Sequence, residues 1–98
     1  MTYTQAAKVN EISEGAGKKV EINGKTIALF KKGGEIYAIN EECPHSGGPL
    51  SEGTLEGDCV TCPWHGFSFD IKTGKSQQGC EAKTYPVKID GDKILVDA

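Results

Sequence analysis

Cys43-Pro44-His45-Ser46-Gly47-Gly48-Pro49-Leu50 and, further along, Cys62-Pro63-Trp64-His65-Gly66 decide the reading of this chain. Sixteen residues separate His45 from Cys62, and each arm offers one thiolate and one imidazole. Two kinds of centre use such a set. A structural zinc takes four Cys or His ligands in a tetrahedron. A [2Fe–2S] cluster can take two thiolates on one iron and two neutral imidazoles on the other. Zinc fingers usually pair Cys with Cys and His with His. Here both arms are mixed, which favours the cluster. His45 and His65 are the only histidines in the chain, and both fall on ligand positions.

Charge explains why a cluster would mix its ligands. Two ferric ions, two sulfides and two thiolates carry no net charge, and one added electron leaves a single negative charge. An all-thiolate cluster starts two charges lower, so its reduction is harder. Imidazole ligation therefore raises the potential, into a range of about −150 to +300 mV. The residues around the motifs suit this work. Pro44 and Pro63 fix φ and remove a donor, which stiffens both arms. Gly47, Gly48 and Gly66 let the backbone approach closely and offer amides to sulfur.

Outward from the motifs, the chain reads as short strands with no strongly periodic helix. Lys18–Ile22 alternates polar and apolar, Asn23-Gly24 signals a two-residue hairpin, and Lys25–Phe30 reads as the return strand. Gly33-Gly34 turns into a further strand, Glu35–Asn40. Asp58–Thr61 is a short strand-like piece. Tyr85–Ile89 and Lys93–Val96 flank Asp90-Gly91-Asp92, another hairpin signal. Even spacing of strands and turns predicts an all-β fold, a small antiparallel β-sandwich or barrel. Residues 41–57 interrupt the pattern. Leu50 and Leu55 are the large aliphatic side chains there, and so long a connection is usually functional. The two motifs thus sit on two loops that can meet as jaws over a β base.

The chain has 98 residues, which predicts one domain over residues 1–98. The net charge is −3 and the isoelectric point about 5.3. No basic block is present, so nucleic acid is a poor partner. The mildly acidic surface suits a basic docking face instead. No apolar run reaches membrane-spanning length, and the first residues show no secretory pattern. The expected location is a reducing cytoplasm, where four Cys point to metal rather than disulfides. No nucleophile–base pair or Gly-rich nucleotide loop is visible, so the chain is not expected to turn over a substrate by itself.

The two motifs, with Leu50-Ser51-Glu52-Gly53-Thr54-Leu55-Glu56-Gly57-Asp58 between them, resemble a Rieske-type ferredoxin. The likeness continues through Phe69-Asp70, Thr73-Gly74, Cys80-Glu81-Ala82 and Tyr85-Pro86-Val87. Such ferredoxins serve bacterial ring-hydroxylating oxygenases. The resemblance implies the Rieske fold, with a two-loop cluster-binding lobe, and one [2Fe–2S] cluster. Cys43 and Cys62 would hold its inner iron, and His45 and His65 its outer iron at the solvent-facing tip. It implies a monomeric one-electron carrier between a flavin-containing reductase and a terminal oxygenase. A second family member, the small subunit of an NADH-dependent nitrite reductase, implies a bound enzyme component instead. A zinc module is the remaining reading.

The resemblance also implies a subtype. Respiratory Rieske proteins carry an extra Cys in each loop, joined in a disulfide; here Gly48 and Trp64 stand at those positions. The same proteins place a Ser and a Tyr hydroxyl as donors to sulfur, and Phe67 and Phe69 match those positions. Without these donors the potential should lie near the low end, roughly −150 mV. A proline-rich third loop often covers the cluster in related ferredoxins, but Ser76–Cys80 holds no proline.

Other residues carry plainer expectations. Cys59 and Cys80 read as small hydrophobes, with one of Cys59 and Val60 facing inward and a disulfide disfavoured. Trp64 is either part of a docking face or a cap on the sheet. Phe30, Tyr37 and Tyr85 read as core or half-buried strand residues, and Glu41 and Glu42 as exposed.

Overall fold

The computed structural model describes residues 3–42, 48–63, 67–76 and 81–98. Within them run β1 (Tyr3–Lys8), β2 (Gly17–Ile22), β3 (Lys25–Lys32) and β4 (Glu35–Asn40), then β5 (Thr54–Glu56), β6 (Cys59–Thr61) and β7 (Ser68–Asp70). β8 (Thr84–Tyr85), β9 (Val87–Asp90) and β10 (Lys93–Asp97) complete the order. Two single 3₁₀ turns, η1 (Val9–Glu11) and η2 (Leu50–Glu52), are the helical elements among the described residues. All pairings are antiparallel and form three sheets, ordered β1-β10-β9, β2-β3-β4-β8 and β5-β6-β7.

β3 shows how the sheets stack. Ile27, Ala28, Leu29 and Phe30 are apolar without a break and each is fully buried. Strand side chains alternate faces, so such a run means that both faces are covered. Ile27 and Leu29 enter one core cluster, together with Val20, Ile94 and Val96. Ala28 and Phe30 enter another, together with Leu50, Val60, Cys62, Phe69 and Ile71. β4 repeats the division, with Ile36 and Ala38 in the first cluster and Ile39 in the second. The central sheet is thus a partition. The base sandwich lies on one side and the small β5-β6-β7 sheet on the other.

The hairpin signals hold. Asn23 and Gly24 have φ of 51° and 80°, and Gly33 and Gly34 have 63° and 78°. Positive φ at both central residues matches the right-handed twist of the flanking strands. The pairs Ile22↔Lys25 and Lys32↔Glu35 close these turns.

Two expectations need correction, and one strand was not expected. The single strand Tyr85–Ile89 is two, broken at Pro86. Tyr85 pairs with Ala38 on β4, whereas Val87 pairs with Val96 on β10. Pro86 has no N–H to give to a ladder, so the chain changes sheets there, and its carbonyl accepts from the Asp97 N–H at 3.1 Å. Residues 41–57 are not a plain loop, because they contain η2 and β5. β1 went unforeseen: Ala7 is its one buried residue, and a register shift between Gln5 and Ala7 blurs its alternation.

The β3–β4 turn is tied to the loop before β2. The Glu14 carboxylate accepts from the Gly33 and Gly34 N–H groups at 2.6 and 3.1 Å. These two amides, and to a lesser degree Lys32 and Lys31, hold the carboxyl below its ordinary 4.5. A depressed folded value means stabilisation that is present above the unfolded value and lost as pH falls through the folded one. Glu14→Gln should therefore be less stable than the parent at pH 7, with the gap closing below about pH 4.5. Urea unfolding of both proteins across pH 3–7 checks this, and a gap that stays constant would refute the tie.

Candidate metal centre

The first ligand loop leaves β4 and returns into η2. Glu42 and Pro49 face each other in an isolated β-bridge, and the Leu50 N–H donates to the Glu41 carbonyl at 2.8 Å. These contacts close the neck of the loop. Leu50 is fully buried in the second core cluster, so it holds the returning chain down by burial. Glu42 is exposed as expected, but Glu41 is not: it is 4% exposed. The expectation failed because hydrogen-bond partners for a buried carboxylate do not show in a sequence.

The second loop sits on the β6–β7 hairpin. Thr61↔Ser68 is the last ladder pair, and beyond it the Cys62 N–H donates to the Phe67 carbonyl at 2.7 Å. Cys62 is 1% exposed and packs in the second cluster beside Leu50, Val60 and Phe69. Cys59 and Val60 divide as expected, with Val60 fully buried and Cys59 a partly exposed free thiol. Phe69 is fully buried, and Phe67 packs against the same cluster from its edge.

One glycine brings the two necks together. A Cβ on Gly53 would lie 2.3 Å from the Thr61 carbonyl oxygen. Only a residue without a side chain lets the segment leaving the first loop lie on the strand entering the second. The pair Thr54↔Thr61 then fixes the register. A third segment is anchored nearby by Phe69↔Ser76 and Lys75↔Glu81.

Of the four predicted ligands, Cys62 is described. Cys43, His45 and His65 lie outside the described residues, as do Trp64 and Cys80. Among the described residues no group of three potential ligands forms a metal site, which is consistent with that division. The local chemistry fits a cluster. A thiolate under an apolar core is costly unless a metal takes its charge, and coordination deprotonates a thiol outright. Cys62 is shielded from water, as a metal-bound thiolate can be.

Tyr37, at the border of the same cluster, donates to the Glu35 carboxylate at 2.6 Å. That bond, helped by burial, pushes its phenol up to about 12. Tyr37 stays protonated at neutral pH and adds no charge near the necks. Among the described residues no helix is long and apolar enough to cross a membrane.

Comparison with known proteins agrees with this geometry. The sequence pattern of the Rieske [2Fe-2S] domain matches residues 2–90. The ferredoxin component of the naphthalene 1,2-dioxygenase/salicylate 5-hydroxylase systems of Ralstonia sp. is 40% identical, over 96% of this chain and 93% of that protein. The ferredoxin of carbazole 1,9a-dioxygenase from Nocardioides aromaticivorans IC177 superposes with a TM-score of 0.91 at 26% identity, covering 98% and 97% of the two chains. A complex of reduced oxygenase and oxidized ferredoxin in carbazole 1,9a-dioxygenase contains a chain with a TM-score of 0.89 at 26% identity, covering 96% and 91%. A putative nitrite reductase small subunit, 24% identical with a TM-score of 0.87 over the whole of both chains, shares the fold.

Proposed function

The chain belongs to the Rieske [2Fe-2S] domain family, and from that premise we propose how its residues serve electron transfer. Residues 1–98 act as one domain, a monomeric cytoplasmic carrier between a flavin-containing reductase and a terminal oxygenase. The bound [2Fe–2S] cluster supplies a one-electron couple. Cys43 and Cys62 hold the inner iron, and His45 and His65 hold the outer iron. The ferredoxin–oxygenase complex among the structural relatives supports an oxygenase as acceptor. Electrons would pass at an exposed imidazole edge, through a small and transient contact of the kind redox partners use.

The observation that carries the reading is the burial of Cys62 at the shared base of two necked loops. Leu50, Val60 and Phe69, packed in one cluster with Cys62, keep water from its thiol. The dithionite-reduced protein should give a Rieske-type EPR signal, with an average g below that of an all-cysteine cluster, and about two irons per chain. A colourless protein holding zinc and failing anaerobic reconstitution with iron and sulfide would defeat the proposal.

Phe67 and Phe69 should keep the potential low. Donors to sulfur stabilise an added electron, and each charge-assisted bond contributes about 1.5–3 kcal/mol. Phe67→Ser and Phe69→Tyr should each raise the midpoint, by up to roughly 60–130 mV at 59 mV per tenfold. Phe69 is fully buried, so a tyrosine hydroxyl there must find a partner or disturb the packing. Redox titration of both variants checks this, and midpoints equal to the parent would refute the tuning.

A further inference from the structure

Glu41 is the one charged residue that is buried among the described residues. A carboxylate taken from water is costly unless it is hydrogen-bonded. Glu41 Oε1 accepts from the Ser51 N–H at 2.7 Å, and Oε2 accepts from the Ser51 hydroxyl at 2.6 Å. Its backbone is held as well. The Glu41 N–H donates to the Thr26 carbonyl at 3.1 Å, and the Glu41 carbonyl accepts from Leu50 at 2.8 Å.

The position of these bonds gives them a purpose. The first ligand loop departs at Glu42 and returns at Pro49, which are bridge partners. Pro49 has no N–H to contribute to that bridge. The next two amides, of Leu50 and Ser51, both go to Glu41. Glu41 thus joins the departing strand to the arriving turn where the ladder lacks a donor. η2 has no slack on its other side. A Cβ on Gly17 would lie 2.7 Å from the Ser51 carbonyl oxygen, so β2 already touches this turn.

We propose that Glu41 is a positioning residue for the [2Fe–2S] centre: through Ser51 its carboxylate sets the spacing of the two ends of the first ligand loop. The inference rests on the electron-carrier reading above. It concerns the hydrogen-bond tie and not the charge, so a glutamine should replace it. The Gln oxygen accepts from the Ser51 N–H, and its amide donates to the Ser51 oxygen.

The test uses the cluster-loaded protein and its variants Glu41→Ala, Glu41→Gln and Ser51→Ala. Two readouts are taken: the rate at which an iron chelator bleaches the visible absorption under anaerobic conditions, and the EPR g values after reduction. Glu41→Ala should bleach about tenfold faster or more and shift the g values, as loss of a ligand-orienting partner does at metal sites. Glu41→Gln should stay within about threefold of the parent and keep its g values. Ser51→Ala should fall between, and should add nothing to Glu41→Ala in the double variant. If Glu41→Ala fails to fold, Glu41→Gln and Ser51→Ala carry the comparison. Parent-like bleaching and spectra in Glu41→Ala, or in Ser51→Ala where that variant must serve, would overturn the inference. So would a glutamine variant as labile as the alanine one. A parent without a Rieske-type spectrum would overturn the electron-carrier reading, and this inference with it.

Discussion

Gly74→Ala is expected to destabilise the protein by about 3 kcal/mol, the sum of a left-handed backbone cost and an overpacking cost. Gly74 has φ +79°, and a Cβ there would lie 1.9 Å from the Ala82 carbonyl oxygen. Its N–H donates to the Asp70 carbonyl, and its own carbonyl accepts from the Ala82 N–H, both at 2.7 Å. The neighbour is backbone on a paired segment, so it cannot swing aside as a flexible side chain would. For a domain of this size the loss lowers the melting temperature by roughly 12–24 °C.

Two other glycines separate the causes. Gly57 has φ +59° and open space where a Cβ would stand. Alanine there meets only the backbone cost, about 1–2 kcal/mol. Gly53 is the reverse case, with φ −75° and a Cβ that would lie 2.3 Å from the Thr61 oxygen. Alanine there meets only the clash, about 1–3 kcal/mol. Gly53→Ala should also weaken cluster retention, because Gly53 lies where the two necks touch, whereas Gly57→Ala should leave it unchanged. Thermal unfolding followed by circular dichroism gives the order. Gly74→Ala no worse than Gly57→Ala would show that the clash is relieved at no cost.

The same glycines show what a sequence does and does not reveal. Asn23-Gly24 and Gly33-Gly34 were legible because a turn with two positive φ angles is a local requirement met by a local signal. Gly53 and Gly74 answer distant segments, Thr61 and Ala82, and nothing beside them in the sequence announces those neighbours. Burial follows the same rule. Lys25–Phe30 read as the return strand of a hairpin, but only the two packed clusters show that this strand divides the molecule. Glu41 looked like surface because acidic residues mostly are; its partner Ser51 lies ten positions away, across a loop. Pro86 was read inside one strand, although a missing donor is a local fact that could have marked the change of sheet. The family was legible in the two Cys/His motifs, and the match of the Rieske [2Fe-2S] domain pattern to residues 2–90 bears it out. Cluster chemistry needs particular donor types, and a sequence displays donor types directly.

Replacement of Cys62 should have the largest effect on the bound group, beyond what a buried hydroxyl costs the bare fold, about 1–3 kcal/mol. Cys62→Ser keeps the side-chain volume under the core, where Cys62 is 1% exposed. A serine hydroxyl does not ionise as a thiol does beside a metal, so under the proposed ligand set the inner iron loses one of its two thiolates. The variant should be isolated with far less than one [2Fe–2S] cluster per chain, no visible colour and no Rieske-type signal. It should also melt lower than the loaded parent, because a ligand held only by the folded state adds stability in proportion to its occupancy and affinity. Cys59→Ser is the matched control. Cys59 lies three residues away on β6, opposite Asp70 in the ladder, with its thiol on the partly exposed side while Val60 faces the core. That variant should keep the parent's iron content, spectrum and melting temperature. Iron analysis and EPR on the two variants make the contrast. Retention of two irons in Cys62→Ser, or their loss in Cys59→Ser, would reassign the ligand to the wrong side of Val60.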